Sequence, residues 1–348
     1  MLTLDAEKLA KTQMPVSASW LLSACMEARG RQELWMRQKP EVLEVLREQA
    51  VIQSAESSNR IEGVTVAQER LRPLVVGHAR PRDRSEEEIA GYRAALDWVF
   101  TGKRPSQVNA RVIRRLHALA QGGSIADAGQ WKAKDNEIIE ILPDGERRVR
   151  FRPTPAKETP AMIDTLCAHY REACERPDIP PLLTVATFVF DFLCIHPFRD
   201  GNGRVARLLA TLLLVEHGFQ VSRYVSLERL IEESKREYYR TLAACSKGWH
   251  EGSNEILPWW NYFLGIMHQA YREFALKVEN ATARPAKSDL VRNAALAQTG
   301  AFTLADLAAQ VPAVSRAMVK KVLQQMREAH EVRLVGKGRG ASWERMEK

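Results

Sequence analysis

The sequence predicts a mainly α-helical protein with one small β-hairpin in its middle and a compact helical module at its C-terminal end. Three observations carry this. Apolar residues recur at three- and four-residue spacing through most of the chain, the period of an amphipathic helix. One stretch, "NEIIEILPDGERRVRFRP", instead alternates short apolar runs around a Pro-Asp-Gly-Glu turn, which is a hairpin signal. Past "NATARPAKS" (Asn280 to Ser288), which has a linker's composition, come two helical patterns, a tight turn between them and two short β segments.

Taken in order, "SASWLLSACMEARGRQELWM", "PEVLEVLREQAVIQSAESSNRIEG" and "RSEEEIAGYRAALDWVF" each repeat apolar residues as one helix face does. Pro40 suits a first helical turn and Gly63 a C-cap. A short helix fits "SQVNARVIRRLHALA" before the hairpin. Helices resume with "PAMIDTLCAHYREACE", the apolar run Leu182 to Ile195, "RVARLLATLLLVEH", "LERLIEESKREYYRTLAACSKG" and "ILPWWNYFLGIMHQAYREFALKVE". Beyond the linker, Thr303 with Asp306 three residues on forms a capping arrangement, and Ser315 caps "SRAMVKKVLQQMREAH". "EVRLVG", a Gly-Lys-Gly-Arg-Gly turn and "ASWERM" complete a two-stranded ribbon. Two helices, a tight turn and a ribbon follow the order of a winged helix-turn-helix. The chain thus divides into a helical region over 1–100, a central core over 101–280, a linker over 281–287 and the winged module over 288–348.

The 348 residues are 45% hydrophobic and 27% charged, an ordinary globular profile with enough chain for two or three domains. The first residues lack an apolar signal segment, and the longest apolar run is too short to span a bilayer. A cytoplasmic protein with no membrane partner is expected. Five scattered cysteines, with no CxxC, argue for reduced thiols, and Cys194 reads as a small buried hydrophobe. The net charge is +8, and Ser288 to Lys348 holds ten Lys and Arg against six Asp and Glu. Arg316, Lys320 and Lys321 on the second helix of that module, with Lys337 and Arg339 in the wing, could meet DNA phosphates.

Chemistry is concentrated in "HPFRDGNGRVAR", His196 to Arg207. Gly201-x-Gly203-x-x-Ala206 matches a loose dinucleotide fingerprint, but that motif must close a short strand of a βαβ unit. Here a fourteen-residue run better suited to a helix precedes it. A P-loop is excluded too, because no lysine follows the glycines. Pro197 and the glycines make a loop between two helices. Such a loop presents backbone N–H groups at a helix N-terminus, an anion site, to which Asn202 can add a donor. Arg204 and Arg207 share a helix face and can grip a polyphosphate. Asp200 is a hard oxygen ligand suited to Mg²⁺ beside phosphates, His196 a candidate general base, and Phe198 an inward anchor.

These twelve residues resemble the signature of the Fic family, HxFx(D/E)GNGRxxR, at every specified position. The resemblance implies a Fic-type helical core with a β-hairpin flap and transfer of AMP from Mg·ATP, the nucleotide being substrate, to a Ser, Thr or Tyr hydroxyl of a protein. It further implies that His196 deprotonates that hydroxyl and Asp200 holds Mg²⁺. Gly201, Asn202 and Gly203 would bind near the α-phosphate, and Arg204 and Arg207 the outer phosphates. "GQWKAKDNEIIEI" is similar to the family's flap, where a target segment adds as a strand; Ile138 falls near the clamp position, and Lys132 stands where an arginine is usual after the aromatic. "REYYRTL" resembles the nucleoside-pocket helix, with Tyr238 and Tyr239 in place and Ser246 where relatives often carry asparagine.

"SSNRIEG" fits the family's inhibitory motif as Ser58, Glu62 and Gly63. Glu62 lies in a last helical turn, where a carboxylate faces the negative end of the helix dipole, and a broken local rule points to function. Its expected partner is Arg207, which it would withhold from the γ-phosphate. The modified protein is left open, the chain itself included, and a homodimer accords with the resemblance. A competing reading is a DNA-binding transcriptional regulator that uses the same site as a nucleotide sensor. Phosphoryl and phosphocholine transfer are a third, disfavoured by the complete Gly-Asn-Gly-Arg.

Overall fold

The computed structural model describes residues 2–38, 40–102, 107–122, 126–141, 145–283, 287–298, 300–336 and 341–346. The chain separates into two compact units, Met1–Ala275 and Leu276–Lys348. The first unit opens with α1 (Ala6–Lys11), α2 (Val16–Gln38), α3 (Pro40–Ile61), α4 (Gln68–Val76), α5 (Arg84–Thr101) and α6 (Ala110–Ala120). The sequence patterns place α2, α3, α5 and α6 within a few residues of these bounds. Helices α1 and α4 carry no such pattern: α1 has six residues and α4 contains Pro73, so neither repeats an apolar face long enough to register.

The flap follows as β1 (Ile138–Ile141) and β2 (Arg147–Phe151). They pair antiparallel, Ile139 opposite Val149 and Ile138 opposite Phe151, with a bulge between the two pairs. Then come α7 (Thr159–Glu175), α8 (Pro181–Ile195), α9 (Asn202–Glu216), α10 (Leu227–Glu233), α11 (Lys235–Cys245) and α12 (Leu257–Ala283). The segment from Leu227 to Gly248, expected as one helix, breaks at Ser234. That residue leaves helical geometry at φ −106° and ψ 25°, and its hydroxyl donates back to the Leu230 carbonyl at 2.8 Å, competing with the backbone ladder.

Helices α8 and α9 are the centre of the unit. Leu182 through Ile195 are buried at every position but Leu193, and α9 is buried from Arg204 through Leu214. Burying such Leu, Val and Phe side chains stabilises by about 1.5–3 kcal/mol each. Helix α7 packs on α8, α5 and α6 pack on α9, and α3 lies against α5 and α10. Asp191, fully buried on α8, ties in the start of the chain: it accepts from Thr3 N at 3.1 Å, Leu4 N at 2.7 Å and Trp249 Nε1 at 2.7 Å. Burial pushes this carboxyl up and those donors oppose the rise.

The second unit contains α13 (Lys287–Leu296), α14 (Leu304–Gln310), α15 (Arg316–Glu328) and the antiparallel strands β3 (Val332–Val335) and β4 (Ser342–Arg345). Its own core gathers Val291, Leu307, Val319, Leu323, Met326 and Trp343. Thr303 and Asp306 form the expected capping box, and Ser315 caps α15. Helix α12 runs to Ala283 and α13 starts at Lys287, so helix extends into both ends of the stretch read as linker. Asn280 to Ala283 contain neither Gly nor Pro to stop it. Among the described residues no helix is long and apolar enough to cross a membrane.

Replacing Asp191 by Ala would strand three donors, each costing about 1–3 kcal/mol when left buried and unpaired. Denaturant unfolding of Asp191→Ala should therefore show a loss of about 3 kcal/mol or more, and Asp191→Asn, which keeps one acceptor oxygen, a smaller one.

Candidate active site

The site begins where α8 ends. His196 follows Ile195 in the left-handed region, φ 51° and ψ 60°, and its N–H donates to the Phe192 carbonyl at 2.9 Å. A non-glycine residue there is uncommon and costs energy that the surroundings must offset. They do so by holding Phe198. Its ring is fully buried and stacks on the His117 imidazole, centroids 3.8 Å apart and planes within 6°. The Asn202 carboxamide accepts from Phe198 N and donates to Phe198 O, both at 2.8 Å. Asn202, read as a donor to a ligand, thus closes the turn as well as lining the cavity.

Gly201 precedes α9 with φ 76°, where a Cβ would stand 2.6 Å from Gln121 Nε2; no side chain caps this helix start. A Cβ on Gly203 would lie 2.2 Å from Glu62 Oε1, so glycine there lets the end of α3 close in. His117, on the buried face of α6, accepts from Gly129 N at its Nδ1 (2.8 Å) and is bonded through Nε2 to the Asp200 carbonyl at 3.1 Å. With Nδ1 an acceptor, Nε2 is the donor. Burial drives its pKa down to about 4, so it is a neutral support of the loop.

One cavity opens on these groups. Helix α8 contributes Phe190, Leu193 and Cys194, the flap Ile138, Arg150 and Phe151, and α11 Tyr238, Tyr239 and Leu242, with Ser246 at its C-cap. His196, Arg199, Asp200, Gly201, Asn202, Gly203, Glu62 and Arg207 complete it. His196 Nδ1 lies 3.2 Å from the Leu193 carbonyl, which fixes the tautomer with Nδ1 protonated and Nε2 free to accept a proton. Burial lowers its pKa to about 4, Lys132 adding to the effect and Glu62 and Asp200 opposing it. The imidazole is neutral near pH 7, the form a general base requires. Burial pushes both tyrosine phenols up and likewise the Cys194 thiol, which leaves that cysteine a poor nucleophile.

Arg207 is 4% exposed. Its Nε donates to Ser58 Oγ at 2.8 Å, and its Nη2 donates to Ser58 O at 2.9 Å and to Glu62 Oε1 at 2.8 Å. Its Nη1 is buried with no partner. Gly63, at φ 83°, ends α3 so that Glu62 projects at this guanidinium. Arg204, read as a second phosphate ligand, is drawn elsewhere. It is 2% exposed, paired with the buried Glu88 of α5 at 2.8 Å and bonded to Asn59 and Gln121 at 3.3 Å, and it does not line the cavity. A buried carboxylate outcompetes solvent for the guanidinium, so the two arginines diverge although they share a helix face.

Asp200 is exposed. Its Oδ1 accepts from Gly201 N at 2.6 Å and its Oδ2 lies 3.2 Å from Arg84. Among the described residues no three His, Cys, Asp or Glu side chains cluster to hold a metal. A lone accessible carboxylate beside an uncapped helix start fits Mg²⁺ held jointly by one carboxylate and phosphate oxygens, and does not fit an all-protein metal cage. Sequence patterns do not single out His117, Glu88, Arg84 or Arg150. His117 and Glu88 sit on apolar helix faces, where a polar residue is a faint signal. Arg150, whose Nε is buried without a partner, lies in the bulged part of the flap. In the second unit Arg316, Lys320 and Lys321 are exposed on α15; Lys337 and Arg339 lie outside the described residues.

Comparison with known proteins identifies the family. The sequence profile of the Fic/DOC family matches residues 107–214. A Fido domain-containing protein of Dictyostelium discoideum is 30% identical over 125 residues, 35% of this chain and 82% of that protein. The chain belongs to the Fic/DOC family. It is 25% identical over 215 residues, 58% of its length, to "Protein adenylyltransferase Fic" of Nematostella vectensis, of which it covers 44%. A crystal structure of a Fic family protein from Desulfovibrio desulfuricans G20 shares the fold, with a TM-score of 0.62 at 21% identity over 97% of this chain and 98% of that one.

The buried His117 makes a pH prediction. Unfolded, it binds a proton near pH 6.5; folded, only near 4. Between these values the unfolded chain holds more protons, so stability is complete above about pH 6.5 and is lost as pH falls toward 4. His117→Phe, which keeps the stack on Phe198, should show a smaller drop in thermal midpoint between about pH 7.5 and 4.5 than the wild type.

Proposed function

We propose that this protein transfers AMP from Mg·ATP to a Ser, Thr or Tyr hydroxyl of a protein, and that Glu62 restrains it by occupying Arg207. The observation that carries the reading is a neutral imidazole and a glycine-rich helix start in one cavity with a buried arginine already claimed by a carboxylate. Family membership and relatives bearing the name adenylyltransferase support it.

In this account His196 Nε2 takes the proton of the incoming hydroxyl. The hydroxyl oxygen bonds to the α-phosphorus as the bond to pyrophosphate breaks. The unpaired N–H groups of the first turn of α9 face the charge that develops there, donors fixed in advance of the reaction. Mg²⁺ on Asp200 would offset the charge of the leaving pyrophosphate. Tyr238, Tyr239 and Leu242 enclose the nucleoside, and Ile138 with its strand offers an edge to the target segment. Arg207 binds the outer phosphate once Glu62 releases it.

Charge-assisted hydrogen bonds contribute about 1.5–3 kcal/mol, so Glu62→Gly should raise the rate of AMP transfer roughly 10- to 100-fold. In the same background His196→Ala should lower it by about 100-fold or more. Intact-protein mass after incubation with Mg·ATP, alone and with cell lysate, reads both; equal rates in the wild type and Glu62→Gly would remove the restraint from the account.

A second reading, a DNA-binding regulator with a nucleotide-sensing site, is favoured by one observation. Arg316, Lys320 and Lys321 are exposed on α15 with no ion pair among the described residues, while Val319, Val322 and Leu323 face the core, as a winged helix-turn-helix recognition helix would be arranged. Duplex DNA affinity should fall steeply with salt, and alanine at all three positions should lower the slope of log K against log salt by about three. No salt-dependent binding would dismiss this reading.

A further inference from the structure

The His196 turn is held from a side that the catalytic account does not use. Residues 131–136 lead into the root of the flap, and two of them, Lys132 and Asn136, bond to the turn's backbone carbonyls. Lys132 Nζ donates to Ile195 O at 3.1 Å and Lys132 N donates to Pro197 O at 2.9 Å. Asn136 Nδ2 donates to Phe198 O at 3.1 Å and lies 3.5 Å from His196 O. Lys132 Nζ also donates to Asn136 Oδ1 at 2.9 Å, which joins the two side chains into one clamp.

Each feature is costly unless it is used. Lys132 is 5% exposed and has no ion pair among the described residues; burial lowers its pKa to about 8, with Asp135 as the opposing charge. A buried lysine without a carboxylate is expensive, yet here its ammonium sits on the C-terminal carbonyl of α8, the negative end of that helix. The left-handed backbone of His196 persists only if its flanks are over-determined, and this clamp together with the Asn202 and His117 contacts does that. The sequence resemblance ties position 132 to target docking; the side chain instead turns inward under the base.

We propose that Lys132 and Asn136, at the root of the flap, are positioning residues for His196, holding the backbone of its turn in the one conformation that presents the imidazole to the cavity. The proposal rests on His196 as the base of the transfer reaction. It also makes the flap and the base one mechanical unit, because β1 starts two residues after Asn136. A misplacement of about 1 Å at a reacting group costs roughly 100-fold, so the clamp's loss is read in turnover, not in nucleotide binding.

The test uses the full chain in the Glu62→Gly background. Lys132→Met and Asn136→Ala should lower kcat for AMP transfer roughly 10- to 100-fold with KM for ATP within about twofold, and Lys132→Arg should restore kcat. An unchanged kcat in both variants, or a loss that Lys132→Arg does not rescue, overturns the proposal. A second readout needs no turnover: the His196 imidazole resonances of the ligand-free protein should shift and broaden in Lys132→Met while those of His78 do not. If Glu62→Gly itself transfers no AMP, the functional reading fails, and unmoved His196 resonances would then separately sink the positioning claim.

Discussion

A guanidinium cannot be buried without acceptors, and Arg207 is buried to 4% exposure. The placement of the end of α3 against α9 follows from how that demand is met. Ser58 accepts two of its hydrogen bonds and Glu62 a third, which obliges α3 to lie across the start of α9 with its C-terminus at the cavity. Glu62 is placed against the dipole of its own helix, an unfavourable position that Arg207 makes favourable. Even so, Arg207 Nη1 stays buried without a partner among the described residues.

The surrounding helices keep that end of α3 in place. Ser54, one turn before Ser58, donates to the buried Glu228 at 2.6 Å, and Tyr92 donates to the same carboxylate at 2.9 Å. Lys235 caps the helix end by donating to Ile61 O at 2.7 Å. Arg204 and Glu88 join α9 to α5 beneath the site. The arginine pair of the motif therefore divides its labour, Arg204 serving the frame and Arg207 the cavity. The same logic recurs at His196: its strained backbone is tolerated because neighbouring groups bond the carbonyls on either side of it.

Much of this is legible in the amino-acid sequence. The principal helices, the flap hairpin, the caps at Thr303 and Ser315 and the inward turn of Phe198 follow from apolar period, turn chemistry and capping residues, all of which act within a few positions along the chain. Glu62 and Arg207, 145 residues apart, are paired only through the family resemblance. What is not legible depends on distant partners. The fate of Arg204 is decided by Glu88, the closing role of Asn202 by the direction of its carboxamide, and the use of Lys132 by carbonyls that have no signature in sequence. Short α1 and α4 and the break at Ser234 leave no pattern because each spans too few residues to set a period.

The most direct measurement is the position of ATP in crystals of the wild type and of Glu62→Gly. The account predicts that Arg207 keeps its bond to Glu62 in the wild type and binds the outermost phosphate in the variant, bringing the α-phosphorus in line for a hydroxyl activated by His196. The same phosphate pose in both crystals, with Arg207 on the nucleotide beside an intact Glu62, would contradict it.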